Sequence, residues 1–226
     1  MSGLSSICRL IESALEPSGI LLRGTLAFKS GEGPMLADGR PAASVLLLGN
    51  VGSSIWAAFS AWNDGYDGPD PLDTWSKQII GLLAEEFGGT AYFPSDPPWQ
   101  PFQQWAMRAE GMKPSPLGIL IHPQFGLWHG YRGAIGFPQL VGEGVTIGRH
   151  PCDSCQTKPC LSACPVNAVD IDPGNFAVSS CRRHLETREG RDGCMGSGCL
   201  ARNACPVGVG YRYETAQMRF HMQALS

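Results

Sequence analysis

The chain carries Cys152-x2-Cys155-x4-Cys160-x3-Cys164-Pro165 and then Cys181-x12-Cys194-x4-Cys199-x5-Cys205-Pro206. The two halves echo each other. Cys155-x4-Cys160-Leu161 leads to Ala163-Cys164-Pro165-Val166, and Cys194-x4-Cys199-Leu200 leads to Ala204-Cys205-Pro206-Val207. Eight thiols in two sets of four, each closed by Cys-Pro, match the ligand count of two 4Fe–4S clusters.

The spacing has a chemical reason. A cubane needs four thiolates at its corners, and a short loop supplies three of them. The fourth comes from a remote Cys-Pro, where proline stops a helix that would carry the sulfur away. In two-cluster ferredoxins the Cys-Pro cysteine of each half serves the other cluster. That rule groups Cys152, Cys155, Cys160 and Cys205 on one cluster, and Cys164, Cys181, Cys194 and Cys199 on the other. Two zinc sites would use the same thiols, but tetrahedral zinc does not call for three crowded cysteines plus a Cys-Pro. A disulfide framework needs an oxidising compartment. The opening Met-Ser-Gly-Leu-Ser-Ser lacks the basic region and apolar run of an export signal. Cys155-x4-Cys160 is longer than the tightest bacterial Cys-x2-Cys, and reads as a loop insertion rather than as a site for another metal.

Working outward, all six tryptophans fall between Trp56 and Trp128, whereas eight of nine cysteines lie beyond residue 151. That shift sets a boundary near Thr146–Pro151 and divides the chain into domains 1–148 and 149–226. Cys8, the ninth cysteine, reads as a small buried hydrophobe in the first helix. The 226 residues, 43% of them hydrophobic, are enough for a packed core. Glycine and proline make up about a fifth of the chain, as in folds of many short elements. Net charge is −3. Residues 1–150 hold nine Lys and Arg against thirteen Asp and Glu; residues 151–226 hold eight against seven. Neither part has the basic excess of a nucleic-acid binder. No apolar run approaches the roughly 20 residues of a membrane span. A cytoplasmic protein with no nucleic-acid or membrane partner is expected.

The periodicity predicts a helix over Leu4–Leu15, capped by Ser5 or Ser6 and ended by Pro17-Ser18-Gly19, then a strand over Ile20–Phe28. Ala43–Leu48 reads as a buried strand entering a glycine turn from Gly49 to Ser54, with a helix over Ile55–Trp62. Asp70-Pro71 reads as cap and first position of a long helix through Leu72, Trp75, Ile79, Leu83 and Phe87, closed by Gly88-Gly89. A short strand Ala91–Phe93, a loop Pro94–Pro101 and a helix Phe102–Glu110 follow. Leu117–His122 reads as a strand, Pro123–Gly126 as a turn and Leu127–Phe137 as the returning strand.

That last hairpin carries Ile121-His-Pro-x-Phe-Gly-x-Trp128 and then Arg132-Gly133. It resembles the vitamin B12 processing chaperones of the CblC (MMACHC) type. The order of Val45–Leu48, a small-residue turn and the helix opening at Asp70-Pro71 agrees. The resemblance implies a nitroreductase-like α+β domain binding cobalamin with its lower base off cobalt. It also implies a corrinoid site drawn from Ile119, His122, Phe125, Gly126, Trp128, Tyr131 and Arg132, with Trp56 a further aromatic wall. The cysteine-rich part resembles the ferredoxin modules of epoxyqueuosine reductase and reductive dehalogenases, so the expected architecture is α+β followed by a small ferredoxin-like domain with two 4Fe–4S clusters.

The corrinoid part is short against that family, which leaves room for a second subunit in a homodimer to complete the pocket. No Asp-x-His-x-x-Gly occurs, so His122 is expected to position the ligand rather than bind cobalt. The leading reading is an oxidoreductase acting on cobalamin, with clusters passing electrons from a low-potential donor protein to cobalt for reduction or upper-ligand removal. A cobalamin-dependent reductase of an organic substrate and a plain two-cluster electron carrier are the alternatives.

Overall fold

The computed structural model describes residues 4–141 and 148–225. The expected boundary residue Thr146 and the opening Met1–Gly3 lie outside them. The chain forms two compact units, Met1–Gly111 with Gly130–Ile147, and Met112–His129 with Gly148–Ser226. The expected division at residue 148 therefore needs a correction, because the segment Met112–His129 belongs to the second unit.

The first unit runs α1 (Leu4–Leu15), β1 (Leu21–Ala27), β2 (Ser44–Val51), α2 (Trp56–Asn63), α3 (Pro71–Glu86), β3 (Thr90–Tyr92) and α4 (Phe102–Glu110). After the excursion of β4 (Lys113–Pro114) and β5 (Leu120–Ile121), β6 (His129–Phe137) returns to the sheet. The sheet order is β1-β2-β6-β3, with β1/β2 and β3/β6 antiparallel. Strand β2 is buried over seven consecutive residues, as the unbroken apolar run predicts. It extends three residues past the expected Leu48. Gly49 does not turn the chain; a Cβ there would stand 2.0 Å from the Gly130 carbonyl oxygen, so the glycine permits close approach of β6. The turn falls at Gly52, whose φ is +54°.

Three further expectations change. Asp70 precedes Pro71 but its side chain caps nothing; it adopts a left-handed conformation, and its carbonyl accepts the Thr74 N–H. Proline restricts the preceding residue away from the right-handed region. Ser5 and Ser6 lie within α1 rather than before it. Cys8 is only half-buried, and burial together with Glu12 raises its thiol.

A buried polar network braces this unit. Arg23 and Glu110 pair at 2.8 Å with side chains 2% and 3% exposed. Tyr131 donates to the other Glu110 oxygen at 2.6 Å, and Arg23 also donates to the Asn50 carbonyl. Burial, then the Glu110 charge, raises the Tyr131 phenol and keeps it protonated. Breaking a buried pair from one side strands the other charge. Glu110→Ala should therefore cost about 3–5 kcal/mol, read as a lower urea midpoint; a shift below about 1 kcal/mol would place the pair among surface-type bridges.

Candidate functional site

The second unit is built from short pieces. Strands β4 and β5 pair Lys113 with Ile121 and Pro114 with Leu120. Then come α5 (Pro151–Ser154), a 3-10 turn Pro159–Leu161, α6 (Val178–Glu186), α7 (Arg188–Gly190) running into a π turn Arg191–Met195, α8 (Leu200–Asn203) and α9 (Thr215–Gln223). Proline opens α5 and the turn at Pro159, at the first helical position where its missing N–H loses no bond, and Cys152 and Cys160 follow it within those first turns.

The cysteines sort into two cavities. Cys152, Cys155, Cys160 and Cys205 line one, with Ser115, Leu117, Ile121, Leu127 and Lys158. Cys164, Cys181, Cys194 and Cys199 line a second of about 290 Å³, with Leu117, Phe176, Leu185 and Arg202 among its walls. Burial pushes the Cys152 thiol up to about 11, and Cys205, Cys160 and Cys155 add to the shift. Cys181 is raised likewise by burial and then by Cys199, Cys164 and Cys194. The Ala168 N–H donates to Cys164 Sγ at 3.3 Å. Burial raises the Cys160, Cys199 and Cys205 thiols, and backbone groups at Leu161, at Arg202 and Ala201, and at Val207 oppose the rise. Among the described residues no three His, Cys, Asp or Glu side chains converge to hold a single metal ion.

The segment expected to form a corrinoid hairpin walls these cavities instead. Ser115–Ile119 is a turn, with Gly118 at φ +75° and the Ser115 N–H bonded to the Ile119 carbonyl. The strand therefore starts at Leu120 rather than Leu117. His122 and Gly126 close the next turn through two 2.9 Å bonds. His122 Nδ1 accepts the N–H groups of Gln124 and Phe125, and its ring stacks on Phe125 at 4.2 Å. Gly126 is required by contact: a Cβ would meet the Val207 carbonyl oxygen at 2.0 Å. Ile119 lines the second cavity. Of the remaining expected residues, Tyr131 and Arg132 lie in the first unit, on β6.

Trp128 is deeply buried. It is 1% exposed, with the Arg202 guanidinium 4.5 Å from its ring and Tyr213 edge-on at 5.5 Å. Its ring packs inside the second unit rather than walling an open cleft. Arg202, missed by sequence reasoning, also donates to the Leu127 carbonyl and ties this segment to the Cys199 loop. Lys158, also missed, lies inside the Cys155–Cys160 interval. The extra residues there were its one signal.

With this geometry in hand, known proteins add a fold. No protein family pattern matches the chain, and no curated protein matches it. Solved structures do. A C. elegans B12-trafficking protein CblC, a human MMACHC homologue, is similar at TM-score 0.52 and 14% identity, over 97% of this chain and 91% of that one. Epoxyqueuosine reductase from Streptococcus thermophilus is similar at TM-score 0.58 and 14% identity, over 95% of this chain and 68% of that one. An epoxyqueuosine reductase solved with a modified tRNA-Tyr stem loop gives TM-score 0.50 at 15% identity, over 92% and 66%. The chain has a mixed α+β fold related to these structures. No helix among its described residues is long and apolar enough to cross a membrane.

Trp128→Ala should destabilise the second unit by about 3–5 kcal/mol, as for a large aromatic removed from a core, measured by urea denaturation. Unchanged stability with loss of cobalamin binding would return the ring to the role read from sequence.

Proposed function

We propose that the chain is an iron–sulfur protein that reduces a bound corrinoid, with a 4Fe–4S cluster in each four-cysteine cavity and cobalamin as substrate. The sorting of eight thiols into two sets of four, each drawing one cysteine from the other half of the sequence, carries this reading. The surroundings fit such a group. The Cys152 and Cys181 thiols are partly desolvated and raised; four thiolates in one cavity call for compensating positive charge, and cluster assembly would release their protons. The Ala168 N–H already points at the Cys164 sulfur. A cubane asks each sulfur to reach its own iron, which agrees with thiols that surround a space rather than converge. Bound clusters supply one-electron transfer. The chain's share is to hold the thiolates, bury them among Leu117, Phe176 and Leu185, and donate N–H bonds that stabilise negative charge.

The corrinoid part rests on the fold likeness to the B12-trafficking protein. For His122, two N–H bonds accepted at Nδ1 leave the proton on Nε2, a donor suited to an amide carbonyl and unsuited to cobalt. Ile119 and Phe125 in the second unit remain proposed corrinoid contacts, and so, separately, do Tyr131 and Arg132 in the first. Electrons would come from a low-potential donor protein. The likeness to epoxyqueuosine reductases favours a second reading, reduction of an organic substrate. The net charge of −3 speaks against an RNA-borne one.

Titration of the anaerobically reconstituted protein with hydroxocobalamin should give a base-off spectrum. Cobalt reduction by an external low-potential donor should then be much slower in Cys199→Ser than in the wild type, with affinity kept within about tenfold, or roughly 1.4 kcal/mol. Equal rates would remove the clusters from the electron path. No spectral change at high cobalamin would leave a plain electron carrier.

A further inference from the structure

The interval between Cys155 and Cys160 reads Gln156-Thr157-Lys158-Pro159. Lys158 stands before the 3-10 turn that carries Cys160, with φ at +37°. A non-glycine residue adopts this left-handed region only at a cost. Pro159 disfavours the right-handed alternative for the residue before it. In this conformation the Lys158 ammonium turns back onto its own loop. It donates to the Cys152 carbonyl at 3.2 Å and the Cys155 carbonyl at 3.0 Å. The side chain lines the cavity of Cys152, Cys155, Cys160 and Cys205. The equivalent position in the other half, third between Cys194 and Cys199, is Ser197, which donates to the Gly193 carbonyl. The cation is thus no by-product of the repeat.

We propose that Lys158 tunes the reduction potential of the first cluster, its ammonium fixed beside the four thiols by two carbonyls of the cysteine loop. This rests on reading the cavities as cluster sites. Reduction adds one electron from an external donor and one negative charge to the cluster, with no bond made or broken. A fixed cation stabilises the reduced form more than the oxidised form, and so raises the potential. Lys158 acts by position and charge and takes no part in bond chemistry. Arg182 and Arg202 line the second cavity, so the prediction concerns the shift within the first cluster and not the order of the two.

The test is an anaerobic redox titration of the reconstituted full chain with dithionite, followed by visible absorption and EPR. Lys158→Met removes the charge. Lys158→Gly removes it while freeing the backbone of left-handed strain. In both, one of the two reduction waves should move to lower potential by at least tenfold in its equilibrium constant, about 59 mV for one electron. The other wave should stay, and Lys158→Arg should restore the first. Both waves unmoved at wild-type iron content would overturn the proposal. Loss of cluster iron from both neutral variants, without a shifted wave, would make Lys158 a structural clamp and also overturn it. Wild-type protein lacking about eight irons per chain, four per cluster, would instead defeat the cluster reading before any variant is compared.

Discussion

The second unit is governed by one constraint, that thiols far apart in sequence must surround two cavities at once. Cys205 reaches back to the loop of Cys152, Cys155 and Cys160, while Cys164 reaches forward to Cys181, Cys194 and Cys199. Neither half closes its own cavity. The cysteines are themselves core residues: Cys160, Cys164 and Cys199 pack with Val169 and Ala201, and Cys205 and Cys152 with Ile121 and Leu127. These apolar clusters are small, so what fills the cavities completes the core. Under the proposed cluster reading, metal binding and folding would be one equilibrium.

The same constraint explains the segment Met112–His129. Leu117 packs against both cysteine clusters, and Gly126 fits under the Val207 carbonyl. Arg202 holds the Leu127 carbonyl and covers Trp128. A segment that precedes the cysteines by more than twenty residues is in this way a wall of their site. The first unit relies on different physics, an almost fully buried strand β2 and the Arg23–Glu110–Tyr131 network.

Much of this was legible where a pattern repeats locally. Helix α4 spans the predicted Phe102–Glu110; α3 buries Leu72, Trp75 and Leu83 of its predicted face, while Ile80 rather than Ile79 is buried and Phe87 lies past the helix end. The eight cysteines were legible through count and Cys-Pro spacing, and the cavities group them as the crossing rule does. The hairpin misled because an apolar run does not reveal its partner. Its first arm pairs with Lys113–Pro114, and its second joins β2 and β3. The packing of Trp128 on Arg202 was not legible, because an aromatic in a motif reads the same whether it faces a ligand or a guanidinium. Lys158 and Arg202 were not legible, since a lone cation between cysteines has no periodicity to betray it.

The crossing of ligands between halves is the central claim, and paired cysteine variants test it directly. EPR spectra of the reduced Cys205→Ser and Cys155→Ser proteins should lose the same cluster signal, and Cys164→Ser should lose the signal lost in Cys181→Ser. If Cys205→Ser instead loses the signal lost in Cys194→Ser, each half binds its own cluster and the account is contradicted.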